Sequence, residues 1–131
     1  MAVSGDYKTA LTVLLQQENR PNTGALHLLA RGLSPKAVYR LTTLPVRVDM
    51  RDFGGLVNMI SPIHIKQGSL VESVAARVMD LKSEQEDIRA TGQLLMARGA
   101  YLKQSFSGTG FDDQTRVMGD FSSRLYLLAQ I

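Results

Sequence analysis

ATGQLLMARGAYLKQSFSGTGFDDQTRVMGDFSSRLYLL, residues 90–128, holds the pattern on which the fold turns. An apolar segment punctuated by Gly92 and Gly99 leads into the loop Ser107 to Gly110, and then into the run Gly119-Asp120-Phe121-Ser122-Ser123-Arg124-Leu125-Tyr126-Leu127. Alternation with period two is the mark of a strand with two unlike faces. It puts Phe121, Ser123, Leu125 and Leu127 on one face and Ser122, Arg124 and Tyr126 on the other. The leucine face is expected to lie in the core, which makes Leu125→Asp a severe change and Arg124→Ala a mild one.

Working outward, Thr9 to Gln16 is rich in β-branched and aliphatic residues and reads as a central strand. The cluster Asn19-Arg20-Pro21-Asn22-Thr23-Gly24 is a turn, because proline fixes φ while asparagine and glycine accept positive φ. Leu26 to Ala30 and Ala37 to Thr42 read as strands around a turn at Gly32 to Lys36. Val46, Val48 and Met50 alternate with Arg47, Asp49 and Arg51, as expected for a strand with one wet face. From Asp52 the pattern changes. Asp52 can cap a short helix ending before Pro62, and Ser69-Leu70-Val71-Glu72 fits a capping box followed by apolar residues at helical spacing. A helix over Leu70 to Met79 is expected, as a contact element outside the core of the β structure. Lys82 to Asp87 reads as a charged, solvated tip, Ile88 to Ala90 as a strand and Gly92 to Gly99 as a helical turn. Ala100 to Phe106 and Arg116 to Leu128 are expected to close the sheet. Short strands joined by turns favour an all-β, antiparallel (Greek-key-like) β-sandwich with a helical excursion inserted around residues 52–80.

Length and composition narrow the function classes. A chain of 131 residues fits one domain with a single core. It has no cysteine, which excludes disulfides and thiolate chemistry. Fifteen basic and twelve acidic residues give a formal net charge of +3, and the basic residues form no block. A nucleic-acid surface is therefore not expected, since tracking phosphates needs clustered cations. No apolar run reaches the length of a membrane span and no signal pattern opens the chain, so no membrane contact is expected.

Several motifs together resemble the C-terminal domain of the family 36 glycoside hydrolases, the α-galactosidases, and within them a clostridial-type bacterial subgroup. Thr91-Gly92-Gln93-Leu94-Leu95-Met96-Ala97-Arg98-Gly99 resembles the family's "(S/T)G-x-x-L-M-x-x-G" element, and Gly119 to Tyr126 its "GDF-x-S-R-L-(Y/F)" final strand. Gly32-Leu33-Ser34-Pro35 with Tyr39-Arg40 is similar to "GLDP-x-x-x-Y-R", with Ser34 where Asp is commoner. Phe53 to Asn58 and Ser61 to Lys66 resemble an insertion of the clostridial-type enzymes. Met1 to Ser4 resembles the middle of the domain's first strand, so residues 1–131 read as one accessory domain excised from a larger enzyme. The resemblance implies a retaining hydrolase of terminal α-galactosyl groups, with no cofactor and with galactoside bound in a (β/α)8 barrel elsewhere in the same polypeptide; the absence of cysteine fits a reducing interior, so a cytoplasmic location is expected. Such a barrel needs about 200 residues or more, and these strands leave no room for one. The domain would buttress that barrel and help assemble a homo-oligomer. The alternatives are a carbohydrate-binding module and a free-standing adaptor.

No catalytic, cofactor-binding or metal-binding residue is assigned. Retaining hydrolysis needs two carboxyl groups about 5 to 5.5 Å apart across the scissile bond. The family's "K-W-D-x-N" strand end and Cys/Gly-rich segment have no counterpart here. The adjacent Asp112 and Asp113 follow Gly108-Thr109-Gly110 and read as a solvated hairpin loop, and that glycine pair lacks the spacing and context of a phosphate cradle. His27 and His64 each sit in an alternating apolar segment, so both are placed on polar strand faces, without the further ligands a metal needs. Tyr7, Tyr39, Tyr101, Tyr126 and the phenylalanines are assigned mostly to the core, which leaves few aromatics to stack on sugar rings.

Overall fold

The computed structural model describes residues 1–18, 20, 24–46, 84–105 and 115–131. The expected strand over Val46 to Arg51 lies outside the described residues except for its first position, and the helical excursion at residues 52–80 lies outside them altogether. Within the described residues the chain forms two antiparallel sheets and one short helix, an all-β sandwich. The elements are β1 (Ala2–Val3), β2 (Thr9–Gln16), β3 (His27–Leu28), β4 (Val38–Thr43), β5 (Asp87–Thr91), α1 (Gly92–Ala97), β6 (Ala100–Tyr101) and β7 (Ser122–Gln130). One sheet has the order β1-β2-β7-β4-β5; the other pairs β3 with β6.

The last strand is the central one. β7 pairs along β2 from Thr9↔Ala129 to Gln16↔Ser122, and on its other side with β4 from Tyr39↔Gln130 to Thr43↔Tyr126. β2, expected to be central, is covered along its length on one side only; β1 reaches just Ala10 and Leu11. Three of the expected strands are shorter than their sequence runs, the closing run Arg116 to Leu128 being strand only from Ser122. Leu26 to Ala30 contributes only His27–Leu28, and the described part of the run Ala100 to Phe106, which ends at Ser105, only Ala100–Tyr101 with a parallel bridge between Ser105 and Arg116.

Side chains at directly paired positions share a face, so the register assigns the core. Ala10, Tyr126, Leu128, Tyr39 and Leu41 point inward, joined from the other layer by Leu28, Ala30, Leu33, Leu95, Ala100 and Leu102. Two glycines let these layers meet. Gly92 donates its N–H to the Ala37 carbonyl at 2.8 Å, and a Cβ there would overlap the Ser34 carbonyl oxygen. Gly99 has φ 76°, in the left-handed region that glycine adopts without cost, and a Cβ would come within 2.8 Å of the Leu28 oxygen. Between them, Thr91 caps α1 by accepting from the Leu94 N–H at 3.3 Å, and the Leu95 carbonyl accepts from the Ala30 N–H at 3.0 Å.

The parity of β7 is as its sequence indicates, but the inside is the other face. Arg124, Tyr126 and Leu128 are buried, whereas Leu125 and Leu127 are half-buried and Ser123 and Phe121 exposed. Arg124 can face inward because the chain before β5 supplies an anion, at a position expected to be a solvated tip. Glu84 and Glu86 are 1% and 4% exposed, and Asp87 already begins β5.

Candidate functional site

The densest set of ionisable groups among the described residues is this buried cluster under β7. Arg124 Nη2 donates to Glu84 Oε2 at 3.2 Å and to the Val117 carbonyl at 2.8 Å. Glu86 Oε1 accepts from the Lys103 N–H at 2.6 Å, while the Glu86 N–H donates to Thr43 Oγ1 at 2.9 Å. Arg116, 1% exposed, donates to the Lys103 carbonyl at 3.0 Å and to Ser105 Oγ at 2.6 Å. The cluster thus ties the end of β4 to the entry of β5 through Thr43 and Glu86, and residues 103–105 to Arg116. Two cations and two carboxylates balance one another, and each carboxylate is held by a donor of the chain itself. The arrangement fastens segments together; it presents no pair of carboxyls across an open cleft.

Tyr126 lies within this cluster and its hydroxyl has no hydrogen-bond partner among the described residues. Burial, reinforced by Glu84 and Glu86 and opposed by Arg116 and Arg124, pushes its pKa up to about 12. The phenol is therefore neutral at any physiological pH. It is a core group. Tyr39 is the contrasting case. Its buried hydroxyl donates to the Tyr7 carbonyl at 2.6 Å and accepts from the Ser34 N–H at 3.0 Å, pinning two loops to β4.

The remaining described acids lie at the surface. Asp87 takes a two-pronged contact from Arg40, at 2.7 and 2.9 Å, which holds its carboxyl below the usual range. Asp6 is lowered by hydrogen bonds from the Ser4 hydroxyl and the Lys8 N–H in the β1–β2 turn. Asp112, Asp113, the Gly108-Thr109-Gly110 segment and His64 lie outside the described residues. His27 is exposed on β3, as expected of a polar strand face, and its ring meets that of Tyr101 on β6 at 3.8 Å between centroids, tilted by 53°. Among the described residues no three His, Asp or Glu side chains are grouped so as to hold a metal ion, and no helix is long and apolar enough to cross a membrane.

The tyrosines divide evenly. Tyr39 and Tyr126 are in the core, whereas Tyr7 and Tyr101 are 56% and 64% exposed, contrary to the expectation of mostly core positions. The buried glutamates went unrecognised because a charged cluster between two elements usually is a solvated tip. The available signal was that Arg124 shares its parity with Tyr126 and Leu128.

The outer face of the large sheet is unlike the cluster below it. The paired row Leu11–Leu127–Thr42–Asp87 and the neighbouring pair Val13–Leu125 place aliphatic side chains over β2 and β7 and polar ones over β4 and β5. Leu11, Val13 and Leu15 are 40%, 48% and 72% exposed.

No curated protein matches the chain. The family model that describes the glycosyl hydrolase family 36 C-terminal domain matches residues 1–128. With the match spanning almost all of the sequence, this chain belongs to the glycosyl hydrolase family 36 C-terminal domain family.

Proposed function

We propose that residues 1–131 are a single non-catalytic domain of a cytoplasmic bacterial α-galactosidase, and that they support its catalytic barrel and its assembly into oligomers. The observation that carries this reading is the family match over residues 1–128. The barrel would bind the galactoside and cleave the terminal α-galactosyl group through two carboxylates of its own, with retention. No residue of this chain is given a chemical role in that reaction. The buried carboxylates support the reading, because Glu84 and Glu86 are each bonded to a donor of the chain and neither faces an open cleft.

Incubation with an α-galactoside that carries a chromogenic leaving group tests the proposal. The chain alone is expected to match the buffer blank, and the complete polypeptide to release the chromophore. Turnover by the chain alone that disappears in Asp112→Ala and Asp113→Ala would overturn the non-catalytic reading. Activity of the complete polypeptide on other glycosides only would overturn the α-galactosidase assignment.

One observation favours a second reading as a carbohydrate-binding module. Tyr101 offers an exposed ring braced by His27, the kind of flat apolar surface on which sugars stack. Titration with galactosides, followed through the tyrosine signal, separates the two: saturable binding that Tyr101→Ala abolishes would establish the module.

A further inference from the structure

We propose that the outer face of the β2–β7 pair, formed by Leu11, Val13, Leu15, Leu125 and Leu127, is the surface on which the catalytic domain of the same polypeptide docks. The inference rests on the proposed function above and adds the contact surface to it.

The face is apolar on one half only. Crossing the sheet, Leu11 and Leu127 are followed by Thr42 and Asp87, and Ala129 by Arg40 and Arg89. The charged half is already satisfied, with Arg40 and Asp87 bonded to each other. Among the described residues nothing covers the aliphatic half: Leu15, near the end of the paired strand β2, is 72% exposed where a polar residue would serve. At the end of the same strand pair stands Phe121, 84% exposed, with φ at 53° and its N–H on the Gln17 carbonyl at 3.1 Å. A left-handed phenylalanine costs on the order of 1 kcal/mol or more, and such strain gathers where a contact repays it.

Area and position identify the occupant. Four residue rises along β2 and two strand spacings, widened by the side chains, give an apolar area on the order of 300 Å2. A free-standing association needs roughly 800 Å2 from each partner, so a second copy of the chain meeting this half-face would be held weakly. A tethered partner needs far less, because a short connection raises its effective concentration to about the millimolar range. The tether is in the right place. In a C-terminal domain the preceding polypeptide enters through the first strand, and β1 pairs Ala2 directly with Leu11. Ala2 therefore shares the outer face with Leu11, and a shallow hollow bordered by Ala2, Ser4, Thr9, Leu11 and Leu127 continues the apolar surface to the point of entry.

Hydroxyl-radical footprinting of the isolated chain and of the complete polypeptide tests the assignment directly. Leu11, Leu15 and Phe121 are expected to oxidise readily in the isolated chain and several-fold more slowly in the complete polypeptide. Equal oxidation in both overturns the proposal. A second arm uses Val13→Lys with Leu15→Lys, two exposed positions at which lysine does not disturb the inner face. The isolated double variant is expected to keep its melting temperature, while in the complete polypeptide the activity loses heat stability and the two domains melt apart. An unchanged complete polypeptide overturns the proposal. So does a concentration-dependent protection of these residues in the isolated chain that the lysines abolish, since the occupant is then a second copy. If the complete polypeptide shows footprint protection but no glycosidase activity, it is the proposed function that fails and not the docking face.

Discussion

Along β7 the two faces of the large sheet differ in a way that departs from the usual arrangement of charge and grease. The inner face of β7 carries Arg124 beside Tyr126 and Leu128, and the outer face carries Leu125 and Leu127. A guanidinium is among the costliest groups to bury, and it is tolerated here because Glu84 and the Val117 carbonyl meet it within hydrogen-bond distance. The leucines are left half-exposed, although full burial of such a side chain contributes about 1.5 to 3 kcal/mol. On the inner face the guanidinium of Arg124 is thus paired within the chain. The outer one has the composition of a surface that finishes its burial against something else.

The largest effect expected from breaking this contrast is at Arg124. Arg124→Ala leaves Glu84 buried without its guanidinium, and removal of one member of a buried pair costs about 3 to 5 kcal/mol. Urea unfolding should show a matching loss. The double change Arg124→Met with Glu84→Leu removes both charges and fills the space, so most of the stability should return. A loss below about 1 kcal/mol in the single variant, as for a surface pair, would show that Arg124 is not inside. Leu125→Asp is the companion measurement on the other face. Half-buried and facing outward, it should cost the isolated chain about 1 to 2 kcal/mol, less than Arg124→Ala.

That ordering inverts what the alternation of residues 119–127 suggests, and the reason is physical. Period two fixes which side chains share a face, and here it did so correctly. It does not say which face is inside. Hydrophobicity ordinarily decides that question, and it pointed to Leu125 and Leu127. The deciding partner, Glu84, lies 40 positions earlier in the chain, within a run whose charge reads as solvent-facing. Local pattern carried the strands β2, β4 and β5 and the glycines of α1, whose roles depend on near neighbours or on backbone shape. The ion cluster depends on pairings between distant segments, which no window of sequence displays. The same limit explains the central strand: Thr9 to Gln16 has the β-rich composition of one, but the chain's last strand takes the place between β2 and β4.

Two tyrosines sharpen the inner face further. Tyr39→Phe removes a hydroxyl that links the Tyr7 carbonyl and the Ser34 N–H, and a loss of about 0.5 to 1.5 kcal/mol is expected. Tyr126→Phe removes a buried hydroxyl that has no partner among the described residues, and at neutral pH it should cost nothing or stabilise slightly. Its effect appears in alkali. The folded pKa, raised to about 12, exceeds the ordinary value of 10.0, so the folded state disfavours the phenolate. Stability is then full below pH 10 and falls as the pH rises from 10 toward 12, as the unfolded chain releases its proton first. Unfolding midpoints measured across that range should decline less steeply in Tyr126→Phe. Identical slopes would show that Tyr126 is solvated.

The smallest effect is expected on the outer face, at the ion pair that borders its apolar half. Arg40 lowers the pKa of Asp87 through a two-pronged hydrogen bond and its charge. A carboxyl whose folded pKa lies below its unfolded value contributes stability above the unfolded pKa, and that contribution is lost as the pH falls through the folded one. The window therefore opens near pH 4, the ordinary range for aspartate, and extends downward. Both side chains are in water, where salt screens such a pair and its worth is slight. Asp87→Asn should leave the neutral-pH midpoint almost unchanged and flatten the acid limb a little, and added salt should erase the difference from the parent chain. Because Asp87 stands in the same cross-strand row as Leu127 and Leu11, its salt response also reports on the neighbouring half of the face. If a domain docks over Leu11 and Leu127 and screens this edge from solvent, the acid effect should be larger and less sensitive to salt in the complete polypeptide than in the isolated chain. Equal salt sensitivity in the two would confine the contact to the β2–β7 half and leave β4 and β5 in water.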